Sequence, residues 1–231
     1  TMTIDVTSVN DAPAGTDATV TTLEDTAYTF TAANFGFTDT NDAPANSLLA
    51  VTITTLPALG TMRLNGVAVT AGQSVTAADI TSSLLVWTPP ANANGAAYAN
   101  FTFQVRDNGG TANGGIDLDA SANTMTIDVT SVNDAPAGTD ATVTTLEDTA
   151  HVFTIANFGL TDVSDSPADS LLSVTIASLP VNGSLMLNGI AVTSGQVVTA
   201  ADIAAGLLVF TPSLNDNGAG YASFTFNVTD S

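Results

Sequence analysis

The sequence predicts an all-β protein built from two consecutive copies of one sandwich module, on three observations. Thr1 to Ala27 recurs without a change as Thr124 to Ala150, 123 residues further on, and the same offset aligns Tyr28 to Asn108 with His151 to Ser231 without a gap, 50 of those 81 pairs being identical. Within a copy, apolar residues alternate over short runs, the period of a strand with one buried face. Turn-forming residues separate the runs at the short spacing of a sandwich, and no stretch carries the period of a long amphipathic helix. A gapless internal repeat implies one fold per copy, with neighbours joined end to end.

Taken in order, the strand patterns are Val51/Ile53, Met62/Leu64, Val67/Val69, Phe101/Phe103/Val105 and Met125/Ile127/Val129. Asn65-Gly66 and Asn188-Gly189 interrupt two such runs and suit a type I′ hairpin turn, which needs positive φ at both central residues. Thr76 to Ile80 and its counterpart Thr199 to Ile203 lack alternation and predict one short helical turn each. Trp87, aligned with Phe210, and the alternating Phe101, Phe103, Phe224 and Phe226 are expected between the sheets. About seven strands per copy result, the number of an immunoglobulin-like sandwich.

The candidate linker is Val132-Asn133-Asp134-Ala135-Pro136, first met as Val9 to Pro13. Proline cannot donate to a ladder, so the preceding strand stops there. Residues 1–11 therefore read as the last strand and linker of a preceding repeat, 12–134 as one repeat, and 135–231 as a second that lacks its final strand, the counterpart of Asn123 to Val132. That mismatch suggests head-to-tail self-association, in which the orphan strand of one molecule completes the open sandwich of another by strand addition.

Twenty-two acidic residues against two basic ones, Arg63 and Arg106, leave a net charge of -20, which makes nucleic acid and anionic membrane surfaces poor partners. The chain is nonetheless 45% hydrophobic with a mean hydropathy of +0.31, enough apolar material for packed cores. Cysteine is absent, which removes disulfides, thiolate catalysis and thiolate metal sites together. No run approaches the ~18 apolar residues of a membrane helix, so membrane insertion of this stretch is not expected. Nor is an enzyme: the one histidine, His151, aligns with Tyr28, and 6% aromatic residues are too few for the platforms of a sugar-cleaving cleft. A lysine-free composition rich in Thr, Ala, Asp, Asn and Gly suits a secreted, repetitive surface protein.

Several segments then take on a joint meaning. VNDAP closing a strand, LEDT opening the next module, NFGFTDTNDAPAN with its counterpart NFGLTDVSDSPAD, the hairpin LNGVAVTAGQ, and FTFQVRDNGGTANGGIDLD together resemble the cadherin-like extender repeats of giant bacterial RTX adhesins, over the whole chain. The glycine-rich nonapeptide repeats that name the class are missing, and Gly109 to Asp119 does not match them. The resemblance implies tandem cadherin-like, immunoglobulin-like sandwiches on the extracellular side of the bacterial cell surface. It also implies a spacer's part in cell adhesion or biofilm formation, with neighbouring repeats of the same chain as partners and calcium at the module junctions.

Calcium takes about six to eight hard oxygen ligands, and acidic groups cluster near strand ends here. The first copy offers Glu24-Asp25, Asp39 with Asn41 and Asp42, Asp107-Asn108 and Asn133-Asp134; the second offers Glu147-Asp148, Asp162 with Asp165, and Asp230. The resemblance implies that Asp39, Asp42, Asp107, Asn133 and Asp134 meet at one junction with Glu147 or Asp148, and that Glu24 and Asp25 meet Asn10 and Asp11 at the one before. Independently, two arginines cannot neutralise so many carboxylates, and like charges held close oppose folding, which favours a cation. No EF-hand loop occurs, so such a site is assembled from separate loops. The competing expectations are solvated carboxylates serving as turns and caps, a carbohydrate- or surface-ligand-binding module using Tyr98 and Tyr221, and a laterally self-associating repeat.

Overall fold

The structure is a computed structural model covering residues 1–231, and the chain is mostly β, with only short helical turns besides. It divides into two compact units, Thr1–Val132 and Asn133–Ser231. The division falls two residues ahead of the boundary expected after Asp134, because Asn133 and Asp134 bond to residues of unit 2.

Unit 1 contains β1 (Ala18–Leu23), β2 (Tyr28–Thr29), β3 (Leu48–Ile53), β4 (Thr61–Leu64), β5 (Val67–Ala68), β6 (Gln73–Thr76), β7 (Leu85–Thr88), β8 (Gly95–Asp107) and β9 (Asn123–Thr130). They form a five-stranded sheet in the order β1-β9-β8-β3-β6 and a four-stranded sheet in the order β2-β7-β4-β5. One core joins the two: Ile53, Phe101, Phe103 and Ile127 of the first sheet pack in the same buried cluster as Met62, Leu85 and Trp87 of the second. Trp87 is fully buried, and its Nε1 donates to Leu59 O at 3.1 Å, so the indole's one polar group is satisfied inside the core. Alternation along β8 turns Ala99, Phe101, Phe103 and Val105 inward, and the same period carries Asp107, the last residue of the strand, onto the buried face.

The turn chemistry follows the sequence. Leu64 pairs with Val67 across a two-residue loop in which Asn65 has φ 49° and Gly66 φ 79°. A Cβ at Gly66 would meet nothing within 4 Å, so Gly66→Ala adds only the backbone cost of a left-handed alanine. We expect a loss of about 1 kcal/mol, seen as a lower urea midpoint at unchanged slope; no loss would show that this turn is not left-handed. The predicted helical turns are α1 (Ala77–Thr81) and, in unit 2, α2 (Ala200–Ala204). Thr76 Oγ1 caps the first by accepting from Asp79 N at 3.0 Å, and Thr199 Oγ1 caps the second by accepting from Asp202 N at 3.1 Å.

Unit 2 contains β10 (His151–Val152), β11 (Leu171–Ile176), β12 (Ser184–Leu187), β13 (Ile190–Ala191), β14 (Gln196–Thr199), β15 (Leu208–Thr211) and β16 (Phe226–Asp230). Its sheets are β10-β15-β12-β13 and β14-β11-β16. Ala141 to Leu146 repeats the sequence of β1 yet forms no strand. In unit 1, β1 is an edge strand paired in parallel with β9, from Ala18 opposite Met125 to Leu23 opposite Thr130. Unit 2 has no strand in the place of β9, so the copy of β1 has nothing to pair with.

Candidate metal centre

In unit 1, carboxylates from two parts of the chain are tied into one hydrogen-bonded group. Asp39 directly follows Thr38, which forms an isolated antiparallel bridge with Ala14; Asp42 lies three residues on; Asp107 ends β8 opposite Leu48. The chain ahead of the module is tied to them. Asn10 Nδ2 donates to Asp107 Oδ1 at 3.0 Å and to Ile116 O at 2.7 Å, while Asp11 N donates to Asp42 Oδ2 at 3.0 Å. Asn46 completes the group, its backbone N donating to Asp39 Oδ2 at 2.6 Å and its side-chain amide to Asp42 Oδ2 at 3.3 Å and to Asn10 Oδ1.

Unit 2 repeats the arrangement 123 residues later, as the sequence offset demands. Asp134 N donates to both oxygens of Asp165, at 3.2 and 3.0 Å; Asn133 Nδ2 donates to Asp230 Oδ1 at 3.3 Å; Asp169 N donates to Asp162 Oδ2 at 2.8 Å. Asp169 stands where unit 1 has Asn46, so this copy gathers one more negative charge. Asp162, Asp165 and Asp169 each offer a carboxylate oxygen within 4.8 Å of the others, a grouping able to hold a metal ion. At Asp162 the Asp169 N–H favours the charged form, but burial and the adjoining carboxyls of Asp165 and Asp169 act the other way and together raise its pKa above the usual 3.8.

The donor inventory tests whether a cation fits. Asp39 Oδ1 and Asp107 Oδ2 in unit 1, and their counterparts Asp162 Oδ1 and Asp230 Oδ2 in unit 2, are buried and meet no hydrogen-bond donor. The four residues are between 0% and 8% exposed, and an ionised oxygen shut away without a donor is strongly unfavourable. Burial alone does not produce this. Asp119, 5% exposed, accepts from Gly15 N at 2.9 Å, Asn123 Nδ2 at 2.7 Å and Ser121 N at 3.1 Å, so both its oxygens are served. The unserved oxygens belong to the same positions in both copies, and a hard cation is the partner that would complete them.

The grouping differs from the one expected. Asn133 and Asp134 bond to Asp230 and Asp165 in place of the expected Asp107, Asp42 and Asp39, which bond instead to Asn10, Asp11 and Asn46. Each Asn-Asp pair thus bonds within the module that follows it. The Glu-Asp pairs also accept hydrogen bonds within their own units. Asp25 Oδ1 accepts from Asn92 N at 3.1 Å, Asp148 Oδ1 from Asn215 N at 2.8 Å, Glu24 Oε2 from Asn94 Nδ2 at 3.0 Å and Glu147 Oε2 from Asn217 Nδ2 at 2.8 Å, so they brace the loop ahead of the Phe-rich segment. Glu24 also accepts from Ser131 Oγ and Val132 N at the end of unit 1. Sequence reasoning missed Asn46 and Asp169, although both close the paired segments NDAPAN and SDSPAD. The tyrosines are engaged internally: Tyr98 packs edge-on against Trp87, and Tyr221 OH donates to Asp216 Oδ2 at 3.0 Å and accepts from Ser213 N at 3.2 Å. No protein-family model and no curated protein matches the chain.

Proposed function

We propose that this chain is a pair of structural extender modules from a secreted bacterial surface adhesin. They are cadherin-like, immunoglobulin-like sandwiches whose links are stiffened by calcium in support of cell adhesion or biofilm formation. The observation that carries this is the pair of buried carboxylate oxygens without donors, one from the acidic loop and one from the end of the long inward-facing strand, at matching positions in both copies. Asp39, Asp42 and Asp107 would hold the ion in unit 1, and Asp162, Asp165, Asp169 and Asp230 in unit 2. An all-oxygen set without histidine or thiolate suits calcium and disfavours zinc. When bound, the cation supplies the positive charge that two arginines cannot.

The consequence is mechanical. Val132 is hydrogen-bonded within unit 1, and Asn133 and Asp134 within unit 2. Neutralising Asp165 and Asp230 removes the repulsion that would otherwise loosen the acidic loop holding those two linker residues. The role is non-catalytic: His151 faces Phe210 across the β10–β15 pair and packs edge-on against Phe153, away from any nucleophile partner. Small-angle scattering tests the spacer role. Millimolar calcium is expected to give one sharply defined maximum dimension, and EDTA a broader distribution with a shifted radius of gyration. Dimensions that do not respond to chelation would remove the stiffening and leave a plain structural repeat.

A further inference from the structure

The acidic groups of the two units differ at one position, and the difference is a whole charge. Asn46 and Asp169 are the same place in the repeat, both half-buried, and their backbones do the same work. Asn46 N donates to Asp39 Oδ2 at 2.6 Å, and Asp169 N to Asp162 Oδ2 at 2.8 Å. Only the side chains part. The Asn46 amide donates to Asp42 Oδ2 at 3.3 Å and to Asn10 Oδ1, so it supplies hydrogens to oxygens that a cation would otherwise draw on. An ionised carboxylate has no hydrogen to give. Asp169 adds instead an oxygen of its own, within 4.8 Å of those of Asp162 and Asp165.

The buried oxygens without donors do not distinguish the units, since Asp39 Oδ1 and Asp107 Oδ2 are matched by Asp162 Oδ1 and Asp230 Oδ2. They mark where a cation would sit in each, and the residue at position 46 or 169 then sets how much charge surrounds it. With Asp39, Asp42 and Asp107 in unit 1 and Asp162, Asp165, Asp169 and Asp230 in unit 2, a divalent ion leaves one negative charge uncompensated in the first and two in the second. The affinity of an all-oxygen calcium site rises with the number of charged ligands.

We propose that this position grades the two sites: Asp169 is a cation ligand with no counterpart in unit 1, and it makes the unit 2 site the tighter, so that calcium acts on the chain in two steps. This rests on the cation reading of the same residues and adds to it an order of filling. As calcium falls, unit 1 gives up its ion first, while unit 2 still holds Asp165 and Asp230 neutralised around Asn133 and Asp134.

Titration calorimetry of the metal-free chain with calcium chloride should resolve a tighter and a weaker phase. Asp162→Asn should remove the tighter and Asp107→Asn the weaker, which assigns each phase to its unit. Exchanging the side chains tests the position itself. Asp169→Asn should weaken the tighter phase about tenfold, and Asn46→Asp should strengthen the weaker one by a similar factor. Each replacement is the residue that the other unit already carries, and a gain of affinity in Asn46→Asp cannot be mistaken for a damaged fold. Lanthanum distinguishes a ligand from a brace, because an added charge attracts a trivalent ion more than a divalent one. The preference for lanthanum over calcium should therefore fall in Asp169→Asn and rise in Asn46→Asp. Calcium binding that neither exchange moves, with the lanthanum preference unaltered, overturns the grading and leaves the cation reading standing. A chain that binds neither ion overturns both.

Discussion

In millimolar calcium both units melt at higher temperature than in EDTA, and that gain is lost in Asp107→Asn for unit 1 and in Asp162→Asn for unit 2. A site of about 10 to 100 μM affinity in millimolar calcium adds about 1.4 to 2.7 kcal/mol, which for units of this size is roughly 5 to 15 °C in the midpoint. The variants separate a lost ion from a damaged fold. Asparagine keeps the acceptor oxygen that Asp162 offers to Asp169 N and removes only the charge. With calcium, Asp162→Asn therefore lowers the midpoint of unit 2. In EDTA the sign reverses, because the wild-type carboxylate is buried beside Asp165 and Asp169 with no cation and its pKa is raised. A carboxyl whose pKa is raised by folding favours the folded state below its unfolded value of 3.8 and loses that contribution as pH rises through the folded value. At neutral pH it is a liability that asparagine removes. Asp119→Asn serves as the control: its oxygens already have donors, so it should cost the same with and without calcium. Coincident melting curves in EDTA and calcium, with Asp162→Asn lowering both, would end the metal reading.

Much of the fold was legible because its signals are local. Period-two alternation marks β3, β4, β8 and β9, Asn-Gly marks both hairpins through its positive φ, and the loss of alternation at Thr76 to Ile80 and Thr199 to Ile203 marks α1 and α2. What escaped depends on partners distant in sequence. Ala18 to Leu23 and Ala141 to Leu146 are the same six residues, yet only the first is a strand, since an edge strand needs a neighbour to pair with. The same holds for Thr124 to Thr130 and its exposed twin Thr1 to Thr7. The acidic residues of the candidate site were visible by composition, but their grouping was not. The partners of Asn133 and Asp134 lie 97 and 31 residues further along the chain, and Asp107 becomes a buried group only because it falls in step with Phe103 and Val105.

The second large effect is expected at Trp87. Trp87→Ala should lower the midpoint of unit 1 by roughly 10 to 20 °C, corresponding to about 3 to 5 kcal/mol for emptying a fully buried aromatic site. The indole fills the space over Gly60, where an added Cβ would come within 2.6 Å of the ring, and it supports Tyr98 edge-on at 6.4 Å between centroids. Little around it can collapse into the void, because the neighbouring β4 strand is held in register by pairing on both sides, to β5 and to β7. Calorimetry would check the value and its location, since only the transition of unit 1 should move. Trp87→Phe, the residue that unit 2 carries at the matching Phe210, should recover most of the loss. Trp87 is the one tryptophan of the chain, so its fluorescence reports unit 1 alone while circular dichroism reports both units. Unit 2, whose Phe224 and Phe226 are only partly buried where Phe101 and Phe103 of unit 1 are fully so, should unfold at the lower temperature, and the tryptophan signal should lag behind the dichroism. If the two signals instead coincide, and Trp87→Ala drags the whole dichroism transition down with it, the units unfold as one body and the partial exposure of Phe224 and Phe226 costs unit 2 nothing measurable.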